Sequence, residues 1–222
     1  FPFVSKVIGK NFIETGTKVI MKVPVEKNGD SLFELDYVAV KAPQFSFTRL
    51  KGADPCLGVE MASTGEVGCL GRNFDEAFLK ALRSVGYHFN IQSVLLSTGP
   101  LESKTELLPA AAYLQEKGVE LYATPGTASF LAGRGIDTHS LHWPLDRQEP
   151  NCIDYLKQGR IDLVINIPKN YQREELTNGY LIRRAAVDYN VMLITNRQLA
   201  MRLTEALSRD TQQRLGLDAW GE

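Results

Sequence analysis

The chain has 222 residues, with 25 Lys or Arg against 26 Asp or Glu and a net charge of −1. At about 150 residues per domain this length makes one large domain or two small ones, and the balanced charge leaves no electrostatic footprint for nucleic acid or an anionic membrane surface. Hydrophobic residues make up 44% and charged residues 23%, ordinary globular usage that can build a real core, and no apolar run approaches the roughly 18–20 residues that span a bilayer.

In chain order, Phe1-Pro2-Phe3-Val4-Ser5-Lys6 lacks an initiator Met, a charged region and an apolar stretch, so no signal peptide is expected and the chain is expected to begin inside a longer protein. Residues 1 to about 87 read as an α+β segment. It has a helix near Phe12 to Lys22, a loop rich in Lys27-Asn28-Gly29-Asp30, then alternation across Asp36 to Arg49. There Val38, Val40 and Ala42 point one way, and the chain re-registers after Pro43 with Phe45 and Phe47. That strand finds only short runs in its own segment and is expected to seek a sheet elsewhere. A helix capped by Asn73 follows, with apolar positions at 74, 77, 78, 81 and 82, and closes the first domain. The linker is expected at Ser84 to Asn90, which divides the chain into residues 1–87 and 88–222. Cys56, Cys69 and Cys152 are three, at spacings of 13 and 83. An odd number without Cys-x-x-Cys excludes a disulfide framework, argues against structural zinc and makes a reducing compartment the default.

From Gln92 onward, short apolar runs alternate with helix-period segments, the pattern of an α/β fold with a five-stranded parallel doubly wound sheet. The runs are Ser93 to Ser97, Val119 to Ala123, Thr138 to His142, Ile161 to Asn166 and Val191 to Thr195. Helices are expected over Lys104 to Glu116, Thr127 to Arg134, Cys152 to Gln158, Gly179 to Tyr189 and Asn196 to Ser208. Asn196 has the chemistry of an N-cap, and Gly118 and Gly135 that of helix-ending glycines.

In an open parallel sheet, ligands sit beyond the carboxyl ends of the strands where strand order reverses, so the residues just after each run form the candidate site. They are Ser97-Thr98-Gly99 with Lys104, Thr124-Pro125-Gly126-Thr127, Trp143-Pro144, Asn166-Ile167-Pro168-Lys169-Asn170 and Thr195-Asn196. Thr124-x-Gly126-Thr127 is the sharpest signal. Its glycine lets backbone approach a ligand, two hydroxyls converge, and the following helix N-terminus offers N–H groups to a phosphate or carboxylate. The competing reading is that Thr127 merely caps its helix. Lys104 adds a positive charge to this edge, unless it is an ordinary surface lysine. Asn166, Lys169 and Asn170 either emerge into the crevice or form a plain turn, and Trp143 either stacks on a ligand or belongs to the core. Arg183 and Arg184 are neighbours on a helix and diverge by about 100°, so at most one faces the edge while the other is solvated or pairs with Asp188. His88, His139 and His142 read as neutral packing residues. Gly-x-Ser-x-Gly, the P-loop and Gly-x-Gly-x-x-Gly are missing, and Asp146 is the only carboxylate at a strand end. The crevice therefore reads as a place to bind an anion, with no acid/base pair.

Several stretches resemble the carbamoyl-phosphate synthase large subunit. Phe1 to Lys6, Lys41-x-x-x-Phe45-x-Phe47, Asp54-Pro55-x-Leu57-Gly58-x-Glu60-Met61-x-Ser63-Thr64-Gly65-Glu66-Val67 and Glu76-Ala77-Phe78-x-Lys80-Ala81 are similar, in order, to the end of its second ATP-grasp half. Residues 92 to 208 look like its C-terminal allosteric domain, of methylglyoxal-synthase-like fold. The resemblance implies that the residues that phosphorylate carbamate lie before residue 1, and that the segment itself carries no catalytic residue and no cofactor. ATP with Mg or Mn would serve the full enzyme. It also implies a small anionic effector, a nucleotide such as UMP, IMP or UTP, phosphoribosyl pyrophosphate, or N-acetylglutamate. Lys104, Thr124 and Thr127 fall where the family binds phosphate or carboxylate, and Asn166 matches the asparagine after the fourth strand. Trp143-Pro144 and Asn166-x-Pro168-x-Asn170 look more like the acetylglutamate pattern, but Lys169 replaces an asparagine there and the Asn178-Gly179-Tyr180 stretch is one residue longer, so the effector stays open. Glu66 resembles a position near the ornithine site of some members.

Upstream ATP-grasp domains, a glutaminase subunit and a homo-oligomer are the implied protein partners, with neither nucleic acid nor membrane. The implied compartment is the cytoplasm, or the mitochondrial matrix for a urea-cycle type, and the implied role is tuning carbamoyl phosphate synthesis for pyrimidine and arginine. Methylglyoxal synthase shares the Thr-x-Gly-Thr loop, but its Gly-Asp pair has no counterpart at Ile165-Asn166-Ile167-Pro168, and its histidine is missing further on. That activity is rejected. The alternative is an oligomerisation module with no bound effector, and an open or plugged Lys104/Thr124/Thr127 edge discriminates the two.

Overall fold

A computed structural model describes residues 2–26, 35–56, 63–146, 148–168, 176–209 and 215–216. The chain opens with α1 (Pro2–Ile8) and α2 (Phe12–Ile20). Asn11 caps α2 by accepting the Glu14 N–H at 3.0 Å. Then come β1 (Val38–Gln44), β2 (Gly65–Gly71) and α3 (Phe74–Ser84).

The alternating stretch does not wait for a distant sheet, as expected, but pairs within its own segment. β1 runs antiparallel to β2, from Val38 opposite Gly71 to Gln44 opposite Gly65. The partner, Gly-Glu-Val-Gly-Cys-Leu-Gly, hides from a propensity reading because three of its seven residues are glycine. At Gly71 the glycine is required by close approach, since a Cβ there would run into the backbone N of Ala77.

Asn73 caps α3 as expected, accepting the Glu76 N–H at 2.9 Å. Ala77, Phe78, Leu79, Ala81 and Leu82 are buried. Phe74 was expected inward but is 41% exposed. At the very start of the helix it stacks on Phe78 and lies under the Arg202 guanidinium, 4.4 Å from its ring centre.

The second half builds β3 (Ser93–Thr98), α4 (Leu101–Glu106), α5 (Leu108–Glu116), β4 (Glu120–Ala123), α6 (Pro125–Ala132), β5 (His139–Ser140), α7 (Cys152–Lys157), β6 (Leu163–Ile167), α8 (Leu176–Asp188), β7 (Met192–Ile194) and α9 (Arg197–Ser208). Asn196 caps α9, and Gly118 and Gly135, after α5 and α6, both adopt φ +75°. The helix expected from Lys104 to Glu116 is two helices. Pro109 has no N–H to give the carbonyl four residues back, and its ring crowds that carbonyl.

The five strands lie parallel in the order β5-β4-β3-β6-β7, the expected α/β doubly wound sheet. Side chains alternate across it. Val94 and Leu96 of β3, Leu121 of β4 and Leu163 and Ile165 of β6 face the core shared with α5, α6 and α9. Leu95, Tyr122 and Val164 face the other side, against Leu156 of α7 and Ile182, Ala185 and Ala186 of α8. Phe78, Leu79 and Leu82 of α3 enter the first of these cores, and the Tyr87 hydroxyl donates to Leu193 O at 2.6 Å. The α+β segment and the parallel sheet therefore share packing. Strand order reverses between β3 and β6, the place where open parallel sheets hold their ligands.

Candidate functional site

At the reversal, Ser97 lies opposite Asn166 and Thr98 opposite Ile167, and the Gly99 N–H donates to Ile167 O at 2.9 Å. Three of the expected residues gather on the β3 side. Thr127 Oγ1 accepts the Thr98 N–H at 3.1 Å and donates to Thr98 O at 3.2 Å, and Thr124 Oγ1 donates to Thr127 Oγ1 at 3.5 Å. Thr127 is thus no helix cap. It is tied across to β3, and Thr124, which occupies the N-cap position of α6, makes no side-chain cap bond. Thr98, Thr124 and Thr127 are all buried.

Lys104 reaches this group from α4. Its Nζ donates to Gly126 O at 2.9 Å and lies 5.9 Å from the centre of the Phe130 ring. Between Lys104, Thr98, Thr127 and the apolar walls of Leu96, Leu107 and Phe130 remains a cavity of about 10 Å³, close to the least space that admits one water.

Asn166 emerges from β6 but is 2% exposed. Its Oδ1 accepts from Arg183 Nη1 at 2.8 Å. Arg183, 1% exposed, also makes a two-pronged pair with Asp54, Nε to Oδ1 at 2.7 Å and Nη2 to Oδ2 at 2.6 Å. Gly179, one turn earlier on α8, leaves room for this guanidinium: a Cβ there would stand 3.0 Å from Nη1. Arg184 turns to the neighbouring face, as helical geometry requires. It donates to the carbonyls of Phe47, Leu50 and Ala53 and pairs with Asp188 at 2.6 Å.

Sequence reasoning expected Asp146 as the only carboxylate among the strand ends. To it the structure adds Asp54, which follows no strand of the parallel sheet and is delivered to Arg183 from 129 residues upstream. Its chemistry was visible in the chain, but no local spacing tied it to Arg183. Beside this pair, burial pushes the Cys56 thiol above its ordinary pKa, and Asp54 adds to the rise. The charge of Arg183 and a bond with the Thr195 side chain work against it.

Trp143 is half-buried and packs against the α7/α8 core. Its carbonyl accepts from Asn151 Nδ2 at 2.9 Å, and its N–H donates to Asp146 at 3.3 Å. These contacts place it in the wall behind β5. Asn170 and Lys169 lie outside the described residues. Glu66 forms an exposed ion pair with Lys41 at 2.8 Å on the hairpin. All three cysteines are free. Among the described residues no three His, Cys, Asp or Glu side chains gather to hold a metal. Among these residues, too, no helix is long and apolar enough to cross a membrane.

Residues 106–195 match the family described as the MGS-like domain. The multifunctional protein ura1 of Schizosaccharomyces pombe is 44% identical over 218 residues, 95% of this chain and 10% of its own length. The mitochondrial carbamoyl-phosphate synthase [ammonia] of Aquarana catesbeiana is 39% identical over 93% of this chain and 14% of its own length. Among solved structures, methylglyoxal synthase from Elizabethkingia anophelis NUHP1 aligns with a TM-score of 0.38 at 16% identity, covering 51% of this chain and 77% of that one. The chain spans only about a tenth of the first relatives' length. Residues 106–195 thus form an MGS-like domain, and the chain as a whole matches the C-terminal, MGS-like region of carbamoyl-phosphate synthases.

Proposed function

We propose that this chain is the regulatory region of a carbamoyl-phosphate synthase and binds a small anionic effector, a nucleotide or an N-acetylglutamate-like acid, at the carboxyl ends of β3, β4 and β6. One observation carries the reading: the buried hydroxyls of Thr124 and Thr127 and the ammonium of Lys104 converge beside the strand-order reversal. An anion arriving there would exchange the Lys104 bond to a neutral carbonyl for one in which donor and acceptor both carry charge, adding Coulomb attraction in a partly buried edge. The regulated chemistry, ATP-dependent carbamoyl phosphate synthesis for pyrimidine and arginine, belongs on this reading to ATP-grasp domains preceding residue 1, with a glutaminase as nitrogen supplier. It divides the chain near residue 87 and places the enzyme in the cytoplasm, or in the mitochondrial matrix for a urea-cycle type.

The small cavity, about 10 Å³, favours a second reading, an oligomerisation module with no effector, unless Lys104 swings off Gly126 to open the edge. Calorimetric titration with UMP, IMP, UTP, phosphoribosyl pyrophosphate and N-acetylglutamate separates them. One of these is expected to bind. Lys104→Met and Thr127→Ala should each weaken it about tenfold or more, as loss of a bond to a charged group does, while Thr127→Ser, which keeps the hydroxyl, retains affinity. No binding by any of the five supports the second reading.

A further inference from the structure

Among the described residues Arg183 is the largest fully buried side chain, and its guanidinium faces two regions at once. One face meets Asn166 at the end of β6, and the other clasps Asp54. The Asp54 carboxylate is a bidentate anion on an arginine fork, the same chemistry by which such a fork holds a free carboxylate or phosphate. It is also the more accessible partner, 31% exposed against 1% for Arg183, so once displaced it can be taken up by water while the guanidinium cannot.

The stretch from Phe47 to Asp54 is short of bonds of its own. Arg49, Leu50 and Ala53 make single turn bonds to Ser46, Phe47 and Leu50. Its long-range anchorage comes from α8, with Arg183 on Asp54, Arg184 on three carbonyls and the Tyr180 hydroxyl donating to Gly52 O at 3.0 Å; from its own flanks the Cys56 N–H donates to Asp54 Oδ1 at 3.1 Å and Phe45 stacks on Phe47. This stretch runs directly out of β1, so whatever frees it reaches the hairpin.

We propose that Asp54 is a built-in competitor for the effector edge: an anion engaging Asn166 takes the Arg183 fork from Asp54, and the Phe47–Asp54 stretch lets go of α8. The proposal rests on the effector-binding reading above and names how that binding is transmitted. Two anions cannot share one bidentate fork, whereas a buried guanidinium that loses one carboxylate is strongly destabilised unless another anion replaces it. Coupling of this kind is reciprocal, so removing Asp54 must strengthen anion binding by the factor with which the anion weakens the Asp54 contact.

The test titrates the chain with pyrophosphate and with glutarate, a phosphate and a carboxylate probe, and follows hydrogen exchange at the amides of Arg49, Leu50 and Ala53. Asp54→Asn should bind a probe roughly tenfold tighter than the unaltered chain, within the range of coupling between linked sites, and should exchange those three amides faster with no probe present. In the unaltered chain a saturating probe should speed the same amides while the β3 and β6 amides stay protected. In the double variant Asp54→Asn/Arg183→Gln the tenfold gain should vanish, with β3 protection reporting that the protein is folded. Unchanged affinity in Asp54→Asn, or slower exchange of the three amides on saturation, overturns the proposal. If Lys104→Met still weakens probe binding in that case, the effector-binding reading stands without it. No probe binding in any variant overturns both.

Discussion

The helices at the chain start and the sheet that follows obey the same local rules and end differently. α2 has every mark of a helix: an Asn11 cap, an acidic first turn and a Glu14–Lys18 pair at 2.7 Å. Yet neither α1 nor α2 buries a residue, and Ile13 and Ile20 stand 57% and 81% exposed. In β3 and β6 every residue is buried. Local signals thus specify a helix, but stability comes from the apolar surface removed from water. α3 shows the boundary between the two cases. It belongs in sequence to the α+β segment, but Leu79, fully buried, sits in the core of the sheet.

The largest expected difference lies in hydrogen exchange. Amides of β3 and β6 should open only with global unfolding, which costs about 5 kcal/mol or more, while those of α1 and α2 should exchange by local fraying, at least about 1000-fold faster. Equal protection in the two regions would break the comparison. Next in size is a core truncation on the boundary helix. Leu79→Ala should cost roughly 2–5 kcal/mol in urea denaturation, whereas Ile13→Ala should stay within about 0.5 kcal/mol. A similar loss in both would mean that α2 is packed in solution.

Arg184 sharpens the view of how the two regions are tied. Arg184→Met strips three carbonyls of a charged donor and should cost roughly 1–3 kcal/mol. Asp188→Asn removes only its 54%-exposed partner and should cost less than about 1 kcal/mol. If Asp188→Asn cost as much, the ion pair and not the Phe47–Ala53 clasp would be the tie.

The smallest effect is a pH dependence at Glu76 on α3. Burial pushes its carboxyl up, but bonds from the Lys80 side chain and the Arg72 N–H, with the charges of both residues, outweigh it and hold the carboxyl below its ordinary 4.5. A carboxyl depressed by folding stabilises the protein above its unfolded pKa, and this stabilisation fades as pH falls through the lower folded value. Urea midpoints at pH 7 and pH 3 should therefore fall less in Glu76→Gln than in the unaltered chain. An equal fall removes Glu76 from the acid response.

Much of this architecture was legible along the chain because it depends on neighbours. Five apolar runs separated by helix-period segments read correctly as five parallel strands, and Asn73 and Asn196 read correctly as caps, because capping and amphipathic burial act over three or four residues. The grouping of Lys104, Thr124 and Thr127 followed too, since a parallel sheet brings its loops to one edge. β2 escaped because three of its seven residues are glycine, and at Gly71 the glycine answers a close backbone approach set by α3 and not by strand propensity. Two things were settled only by the packed molecule: Leu79 of α3 shares the core of the sheet, and Asp54 sits on Arg183 beside Asn166. Both join residues far apart in the chain, the second across 129 positions. No periodicity spans such distances, because which buried cation meets which carboxylate depends on how whole elements dock and on the need to leave no buried charge unpaired.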